Sequence, residues 1–253
     1  MSFGLILKII VAAIMSITTV FSSSGRDICM IGHRGFSGVY PQNTELAFEK
    51  AASNGFGGAE TDIRMTSDGV YVTSHDSDVE FKDGSSLPIA EHTYAELTAK
   101  PLKNKKTRDE VYLCTFKRYL EIMKANDMIC FIELKGDFDT AHVKEIFDIA
   151  ADTYDLSKCI LQSFSKQNLI QARELFPDLP LMLTYGEGDG DYSFCFDYGF
   201  SIDAEYSTVT EEMVEEFHSR GLEVGVWTAN ELFVLNYCKS LGVDYIESDY
   251  FSR

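Results

Sequence analysis

The sequence predicts a single α/β domain folded as a (β/α)8 barrel, and three observations support that prediction. Beyond residue 27, short apolar runs alternate with segments whose apolar residues recur at helical spacing. There are eight or nine such runs, which favours a closed barrel of parallel strands over an open sheet. The chain has 253 residues, 45% of them hydrophobic, which is enough for one domain of this kind.

The first elements follow from short-range signals. An apolar strand over 28–32 ends in glycine, and a polar residue can cap a helix near 44–54. A strand over 58–64, a tight turn at 67–69 and a strand over 70–73 predict an antiparallel hairpin, because so short a turn cannot join parallel strands. This hairpin is an irregular step in the barrel.

The rest of the chain divides into an insertion and further strand–helix units. Residues 77–113 are polar and predict a short insertion or long loop after His75-Asp76, whose basic run Lys103 to Lys106 is typical of a solvated surface. Later strands are expected at 128–132, 159–164, 180–184, 201–204, 223–228 and 244–247. Helices are expected from 116, from 143, after 164, around 213–217 and over 232–241.

The first 26 residues form a separate segment. Lys8 precedes a short apolar run, Ile9 to Met15, and the small residues Ser22 to Gly25 follow. This order predicts a secretory signal peptide, with an uncleaved membrane anchor as the alternative, because the apolar run is short for a bilayer span. We therefore expect a domain over 27–253 in a secreted or membrane-anchored protein. The six cysteines form no CxxC pair, and three of them lie in apolar runs, which is typical of free thiols and favours a cytoplasmic alternative.

Charge limits the partners of this chain. It carries 40 acidic and 22 basic residues, a net charge of −18. This surface argues against nucleic acid and anionic membranes, so membrane contact is expected only through an uncleaved N-terminal segment. A small anionic substrate would need local cations. Nothing in the sequence indicates an oligomeric state.

Charged and polar side chains follow the predicted strands. Because the carboxyl ends of parallel strands meet at one mouth of a barrel, we expect these side chains to converge there. They are His33, Arg34, Glu60, Asp62, His75, Asp76, Glu133, Lys135, Gln162 and Trp227.

Three of the four acids in this set form one candidate cluster. Glu60 and Asp62 are two apart and share one face of a strand, and Glu133 adds a third acid from another strand. Such a group repels itself unless a cation or a shared proton neutralises it, and oxygen ligands suit Mg²⁺ or Ca²⁺. The alternative is a network of salt bridges to basic residues, namely Arg34, Arg64 or Lys135.

His33 and His75 form the natural acid–base pair, since imidazole titrates near neutral pH. A divalent cation beside Arg34 and Lys135 would form a site for a phosphoryl group, because all three stabilise negative charge on phosphate oxygens. Trp227 near a strand end either contacts a ligand or fills the barrel.

The ordered motifs resemble those of the glycerophosphodiester phosphodiesterase family from residue 28 to the end of the chain. They are the HRG at 33–35, the Pro-Gln-Asn-Thr box at 41–44, the ExD at 60–62, the TSDG at 66–69, the HD at 75–76, the IELK at 132–135, the QSF at 162–164 and the WTxN at 227–230. Each motif is weak alone, and the ordered set is specific. One residue departs from the family pattern: Gln42 replaces the usual glutamate of the box and loses its charge.

This resemblance implies a barrel enzyme that depends on one divalent metal ion and hydrolyses glycerophosphodiesters to glycerol 3-phosphate and an alcohol. It implies His33 and His75 as acid and base, and a metal site formed by Glu60, Asp62 and Glu133. Residues expected to contact substrate are Arg34, Lys135, Gln42, Asn43, Gln162 and Trp227.

Two other functions remain open at this stage. A relative of phospholipase D with a similar barrel, acting on sphingomyelin or lysolipids, would need an apolar mouth, whereas the insertion is mostly polar. A catalytically silent binding barrel is disfavoured because both histidines and all three carboxylates are present.

Since the first barrel strand starts near Ile28, we expect residues 1–26 to be dispensable for folding. A chain that begins at Arg26 should be soluble and should show a cooperative unfolding transition by circular dichroism. Insolubility, or loss of that transition, would show that the segment contains a core element.

Overall fold

The computed structural model describes residues 28–250 and contains a closed barrel. Strands in this range, in chain order, are β1 Cys29–Gly32, β2 Gly58–Met65, β3 Tyr71–Thr73, β4 Asp78–Glu80, β5 Ser86–Pro88, β6 Ile129–Leu134, β7 Cys159–Ser163, β8 Leu181–Tyr185, β9 Ser201–Glu205, β10 Val224–Trp227 and β11 Tyr245–Ser248. β1, β2 and β6 to β11 are parallel neighbours, and β1 pairs with both β2 and β11, which closes the ring. The prediction of a (β/α)8 barrel is confirmed.

Helices connect the strands. Within residues 28–250 they are α1 Glu45–Ser53, α2 Tyr94–Leu97, α3 Phe116–Ala125, α4 Thr140–Thr153, α5 Lys166–Leu175, α6 Phe194–Tyr198, α7 Glu211–Ser219 and α8 Leu232–Leu241. Thr44 caps α1 by accepting a hydrogen bond from the backbone N–H of Ala47 at 3.2 Å. Helix α6 was not predicted, because five residues are too few to show a helical period.

The strands are apolar on both faces, and the two faces have different neighbours. Outward side chains such as Ala59, Cys130 and Leu161 pack under the helices in the main core. Inward side chains of the lower barrel form a separate apolar plug, made of Ile31, Phe131, Ile160 and Met182. Because side chains alternate along a strand, the next inward residues above this plug are those at the mouth.

The hairpin predicted at 67–69 is present. β3 pairs antiparallel with β2, with Ile63 opposite Thr73, and so leaves the barrel wall before His75. The backbone N–H of Ser74 donates to the carbonyl of Asp62 at 2.9 Å, which ties this chain reversal to the strand that carries the carboxylates. The irregular step therefore delivers His75 to the mouth.

The insertion is more ordered than expected. β4 and β5 pair antiparallel, α2 follows, and six buried side chains form a small core of their own: Val72, Val79, Phe81, Ile89, Leu97 and Leu113. The expectation of a long loop was wrong, because alternating apolar residues are easily overlooked in so polar a segment. The basic run is also not purely solvated: Lys106 Nζ donates to the carbonyl of Ser37 in the loop after β1.

None of the helices in the described range has the length and apolar character needed to cross a membrane. The segment 1–26, predicted as a signal or anchor, lies outside the described residues.

Candidate active site

The three predicted carboxylates meet on the inner wall of the barrel. Asp62 on β2 lies opposite Glu133 on β6, and Glu60 lies one inward position lower. One carboxylate oxygen from each of the three lies within 4.8 Å of the other two, and the side chains are buried. Like charges held this close in a low-dielectric interior require a proton or a cation.

Two cations reach this group. Lys135 Nζ lies 2.9 Å from Asp62 Oδ1 and 2.6 Å from Glu133 Oε1, and Arg34 Nε lies 3.5 Å from Asp62 Oδ2. Burial raises the pKa of Asp62, but the Lys135 and Arg34 charges outweigh burial and hold that pKa below its ordinary value. The salt bridges to Arg34 and Lys135 that were considered as the alternative to a metal site are present.

Glu60 is less well compensated than Asp62. Its Oε2 accepts a hydrogen bond from the backbone N–H of Arg34 at 2.8 Å, while its buried Oε1 has no hydrogen-bond partner among residues 28–250. Burial and the charges of Asp62 and Glu247 raise the pKa of Glu60 well above its usual range. A fully buried carboxylate oxygen without a donor fits a cation site.

The loop after β1 positions the site through side-chain contacts. Asn43 Nδ2 donates to Asp62 Oδ2 at 2.7 Å, and Asn43 Oδ1 accepts from Thr61 Oγ1 at 2.9 Å. Gln42 Oε1 accepts from Arg34 Nη1 at 2.9 Å. Arg34 and Asn43 both have left-handed backbone φ angles, 56° and 55°, and the two are joined by an N–H···O bond of 3.0 Å. Gln42 and Asn43 therefore hold the charged groups in place.

His33 is oriented by an acid that the sequence analysis missed. Its Nδ1 donates to Asp249 Oδ1 at 2.7 Å, and Asp249 also accepts from Ser37 Oγ and Asn230 Nδ2. Burial opposes ionisation of Asp249, but these hydrogen bonds, that of His33 foremost, lower its pKa to about 2. With Nδ1 held by Asp249, Nε2 is the ring nitrogen of His33 that this contact leaves available.

His75 has a similar partner. Its Nδ1 lies 2.9 Å from Asp76 Oδ1, and Arg64 donates to the carbonyl of His75 at 2.6 Å and 3.1 Å. Arg64 therefore supports the His75 loop instead of the three carboxylates. Partial burial lowers the pKa of His75 despite Asp76, so its neutral form is favoured. His75 also borders a cavity of about 330 Å³, which Gln42 and Lys103 help to line.

Two further inward acids were not predicted as site residues. Asp203 on β9 and Glu247 on β11 are buried. Burial and the charges of Glu133 and Glu60 raise the pKa of Asp203 well above its ordinary range. Burial and the charge of Asp203 do the same for the pKa of Glu247, despite a hydrogen bond from Gln162. Neither oxygen of Asp203 nor Oε1 of Glu247 has a donor in the part of the chain that the structure describes. A single acid inside an otherwise apolar strand was the available signal.

Trp227 ends β10 at the mouth. Its Nε1 donates to the carbonyl of Asp203 at 3.1 Å, and its ring makes an edge contact with Phe164, with centroids 6.0 Å apart. Its inward position, beside Glu205 in the register of β9 and β10, places the ring at the mouth, above the apolar plug.

The fold and this site define a class: a (β/α)8-barrel enzyme whose mouth combines buried carboxylates, two cations and two carboxylate-bound histidines. Residues 33–252 match the model of the glycerophosphoryl diester phosphodiesterase family. The chain belongs to that family. Family membership confirms the resemblance drawn from the motifs and the prediction of an enzyme that hydrolyses phosphodiesters.

Individual relatives agree with this assignment. Glycerophosphodiester phosphodiesterase 1 of Mus musculus is 26% identical, with 87% of this chain and 77% of the relative covered. The crystal structure of a glycerophosphodiester phosphodiesterase from Thermotoga maritima is 26% identical, has a TM-score of 0.71 and covers 88% of this chain and 95% of its own. An Oleispira antarctica phosphodiesterase in complex with the product sn-glycerol-3-phosphate shares the fold, with a TM-score of 0.77 at 19% identity and coverage of 88% and 93%.

The lowered pKa of Asp249 predicts a pH-dependent contribution to stability. Because the folded-state pKa, about 2, lies below the value of about 3.9 expected when unfolded, ionised Asp249 stabilises the fold above pH 4, and this stabilisation is lost as pH falls toward 2. Urea unfolding should show Asp249→Asn to be less stable than wild type at pH 7, with the difference shrinking below pH 4. The exposed control Asp152→Asn should show little difference at any pH. A wild-type advantage over Asp249→Asn that is independent of pH would contradict the assignment.

Proposed function

We propose that this enzyme hydrolyses small glycerophosphodiesters to glycerol 3-phosphate and an alcohol in a reaction that depends on one divalent cation, Mg²⁺ or Ca²⁺. The observation that carries the proposal is the cluster of three buried carboxylates beside Arg34 and Lys135. A hard cation and two basic side chains together suit a phosphate group, whereas either alone would not overcome the acidity of this chain.

Glu60, Asp62 and Glu133 would hold the cation. They supply oxygen ligands only, and Glu60 Oε1 is buried without a donor in the described residues, so the set fits a hard ion. A bound divalent ion acts as a Lewis acid, which stabilises negative charge on phosphate oxygens. Its charge would also take over the neutralisation of Asp62 and Glu133 that Lys135 now provides.

Arg34 and Lys135 would bind the phosphate. Both lie at strand ends beside the carboxylates, and both donate hydrogen bonds to anions. Gln42 holds Arg34 Nη1 by a neutral contact and leaves the positive charge of the guanidinium uncompensated at that end. The departure at position 42 therefore affects how Arg34 meets the substrate, and not the class of reaction.

His33 and His75 would move the protons. One acts as a base toward the attacking oxygen, either water or a neighbouring glycerol hydroxyl, and the other protonates the departing alkoxide. Asp249 and Asp76 each hold one ring nitrogen, so the opposite nitrogen of each ring is left for the reaction. Three further residues complete the substrate site. Asn43 holds Asp62 and Gln162 holds Glu247 through hydrogen bonds. Trp227 forms part of the rim of the mouth at the end of β10.

A lipid-directed phosphodiesterase is the second candidate, because large apolar side chains are exposed after strands that end at the mouth. Phe164 follows β7, and Leu232 and Phe233 follow β10, with exposed fractions of 50%, 63% and 73%. A panel of glycerophosphocholine, -ethanolamine, -glycerol and -inositol beside lysophosphatidylcholine and sphingomyelin tests both functions. Alcohol release from the water-soluble diesters supports our proposal, and release from lipids alone would overturn it.

We also propose that residues 1–26 direct the protein to the secretory route as a signal or an anchor, so that the domain 27–253 works outside the cytoplasm. The proposal rests on the order of charged, apolar and small residues in that segment. Fractionation of cells that express the full chain tests it, since recovery of unprocessed protein in the cytosol would contradict it.

Removal of metal should abolish activity, and Mg²⁺ or Ca²⁺ should restore it. The cation should also raise the melting temperature of the wild type, with stabilisation of about 2.7 kcal/mol at a concentration one hundred times the Kd. Glu60→Gln should lose most of this shift while its metal-free form stays at least as stable as wild type, because a glutamine adds no negative charge to the buried acids. Glu174→Gln, which is exposed on α5, is the matched control. Activity that survives exhaustive chelation would show that the carboxylates are a structural network.

The two histidines should behave as one catalytic unit. His33→Ala and His75→Ala should each lower turnover on the order of 10²- to 10⁴-fold, since proton transfer to and from poor leaving groups is slow without help. The double variant should be little worse than the poorer single variant, because both groups serve the same transition state. The pH–rate profile should be bell-shaped in the wild type and lose one limb in each single variant.

A nitrophenyl ester of glycerol phosphate should identify the acid. Its leaving group needs no proton, so it should rescue the variant that lacks the general acid and not the other. Near-normal turnover of either alanine variant on an alkyl diester would remove that histidine from the mechanism.

A further inference from the structure

The mouth of the barrel is electrostatically asymmetric. Arg34 and Lys135 follow β1 and β6. The strands on the other side of the ring, β9 and β10, end instead in Glu205 and Trp227, which are direct neighbours in the parallel register. A substrate whose phosphate lies on the basic side therefore reaches toward an acidic and aromatic wall.

The aromatic part of this wall is held in place. The Trp227 indole is fixed by its Nε1 bond to the carbonyl of Asp203, and the Phe164 ring stands nearly perpendicular to it, at 81°. Phe164 is half exposed, so the pair is accessible from the mouth. Gly186 at the end of β8 has no side chain to cover them: a Cβ there would lie 3.9 Å from Trp227 Cζ2.

The same place is rich in negative charge. Glu205 Oε2 lies 3.9 Å from the position that a Cβ of Gly186 would occupy, and it accepts a hydrogen bond from the backbone N–H of Glu187. Asp189 Oδ2 lies 3.7 Å from the same position and accepts from the backbone N–H of Gly186. No lysine or arginine in residues 28–250 forms a salt bridge with either carboxylate. Lys166, the first residue of α5, directs its Nζ over Phe194 instead.

Buried polar atoms beneath the wall lack donors as well. Asp203, one inward position below Glu205 on β9, and Thr184 on the neighbouring β8 both have side-chain oxygens without hydrogen-bond partners in the described part of the chain. Asp203 Oδ1 lies 2.7 Å from the position that a Cβ of Gly225 would occupy, so its carboxylate faces the interior below Trp227. These oxygens add acceptors and no positive charge to this side.

We propose that Phe164, Glu205 and Trp227 form a subsite for a positively charged alcohol group, so that this enzyme prefers glycerophosphodiesters of amino alcohols such as choline or ethanolamine. The proposal rests on the proposed function, because the substrate is the same diester. An ammonium group is attracted to the face of an indole and to a nearby carboxylate, and a weakly hydrated quaternary ammonium loses little on leaving water. A neutral polyol gains neither interaction.

Binding can be measured without turnover, because Trp227 is the single tryptophan of the sequence. Titration of tryptophan fluorescence should show that phosphocholine binds. It should also show that 3,3-dimethylbutyl phosphate, in which carbon replaces the nitrogen, binds with about tenfold lower affinity. Glu205→Gln keeps an acceptor for the Glu187 N–H and should reduce this preference to within about twofold. Glu174→Gln at the opposite end of the barrel should keep it. Equal affinity of the wild type for both phosphates, or an unchanged preference in Glu205→Gln, would overturn the proposal.

Turnover separates this proposal from the proposed function. Wild-type kcat/KM should favour glycerophosphocholine over its dimethylbutyl analogue by about tenfold, chiefly through KM, and Phe164→Ala should reduce the ratio without a matching loss in kcat. Hydrolysis of both diesters at equal efficiency would reject the cation subsite and leave the hydrolase intact. Preferential binding of phosphocholine without hydrolysis of any glycerophosphodiester would reject the hydrolase and support the subsite.

Discussion

The concentration of negative charge inside the barrel is the constraint on which the rest of the site depends. Five acids, Glu60, Asp62, Glu133, Asp203 and Glu247, face the interior above an apolar plug, and all are buried. Water cannot solvate them there, so each needs a proton, a cationic side chain or a metal ion. Lys135 and Arg34 serve Asp62 and Glu133, which leaves Glu60, Asp203 and Glu247 with oxygens that lack donors within residues 28–250. This imbalance of buried negative charge is the basis for the cation site proposed above.

The loops achieve this placement through unusual backbone geometry and dense hydrogen bonding. The loop after β1 contains two residues with left-handed backbone, Arg34 and Asn43, and both direct their side chains at the carboxylate of Asp62. Gly35 allows that loop to approach α1, where a Cβ would lie 2.7 Å from the Ala47 carbonyl carbon. The hairpin of β2 and β3 performs the corresponding task for His75. Strand ends alone would not bring both histidines to the carboxylates.

Much of the architecture was predictable from the sequence because barrel strands and helices leave strong periodic patterns. The parallel strands, the hairpin and the capped helix α1 were expected near their observed bounds. The strands and helix within the insertion, and α6, were not predicted, since short elements with few buried side chains carry little periodic signal. Site residues that lie within a short sequence motif, such as Glu60 and Asp62, were predicted from the sequence. Asp249 was missed because its partner His33 is 216 residues away, and that contact exists only once the barrel has closed.

The pairing of β1 with β11 has a consequence for synthesis. The first barrel strand must wait for the last one, and His33 must wait for Asp249, before either has its partner. A chain growing on the ribosome thus carries an open sheet edge at β1 until β11 has emerged from the exit tunnel. During that interval the backbone groups of this edge are available for pairing with other strands. The ring of strands and the contact between His33 and Asp249 can therefore form only after the end of the chain has been made.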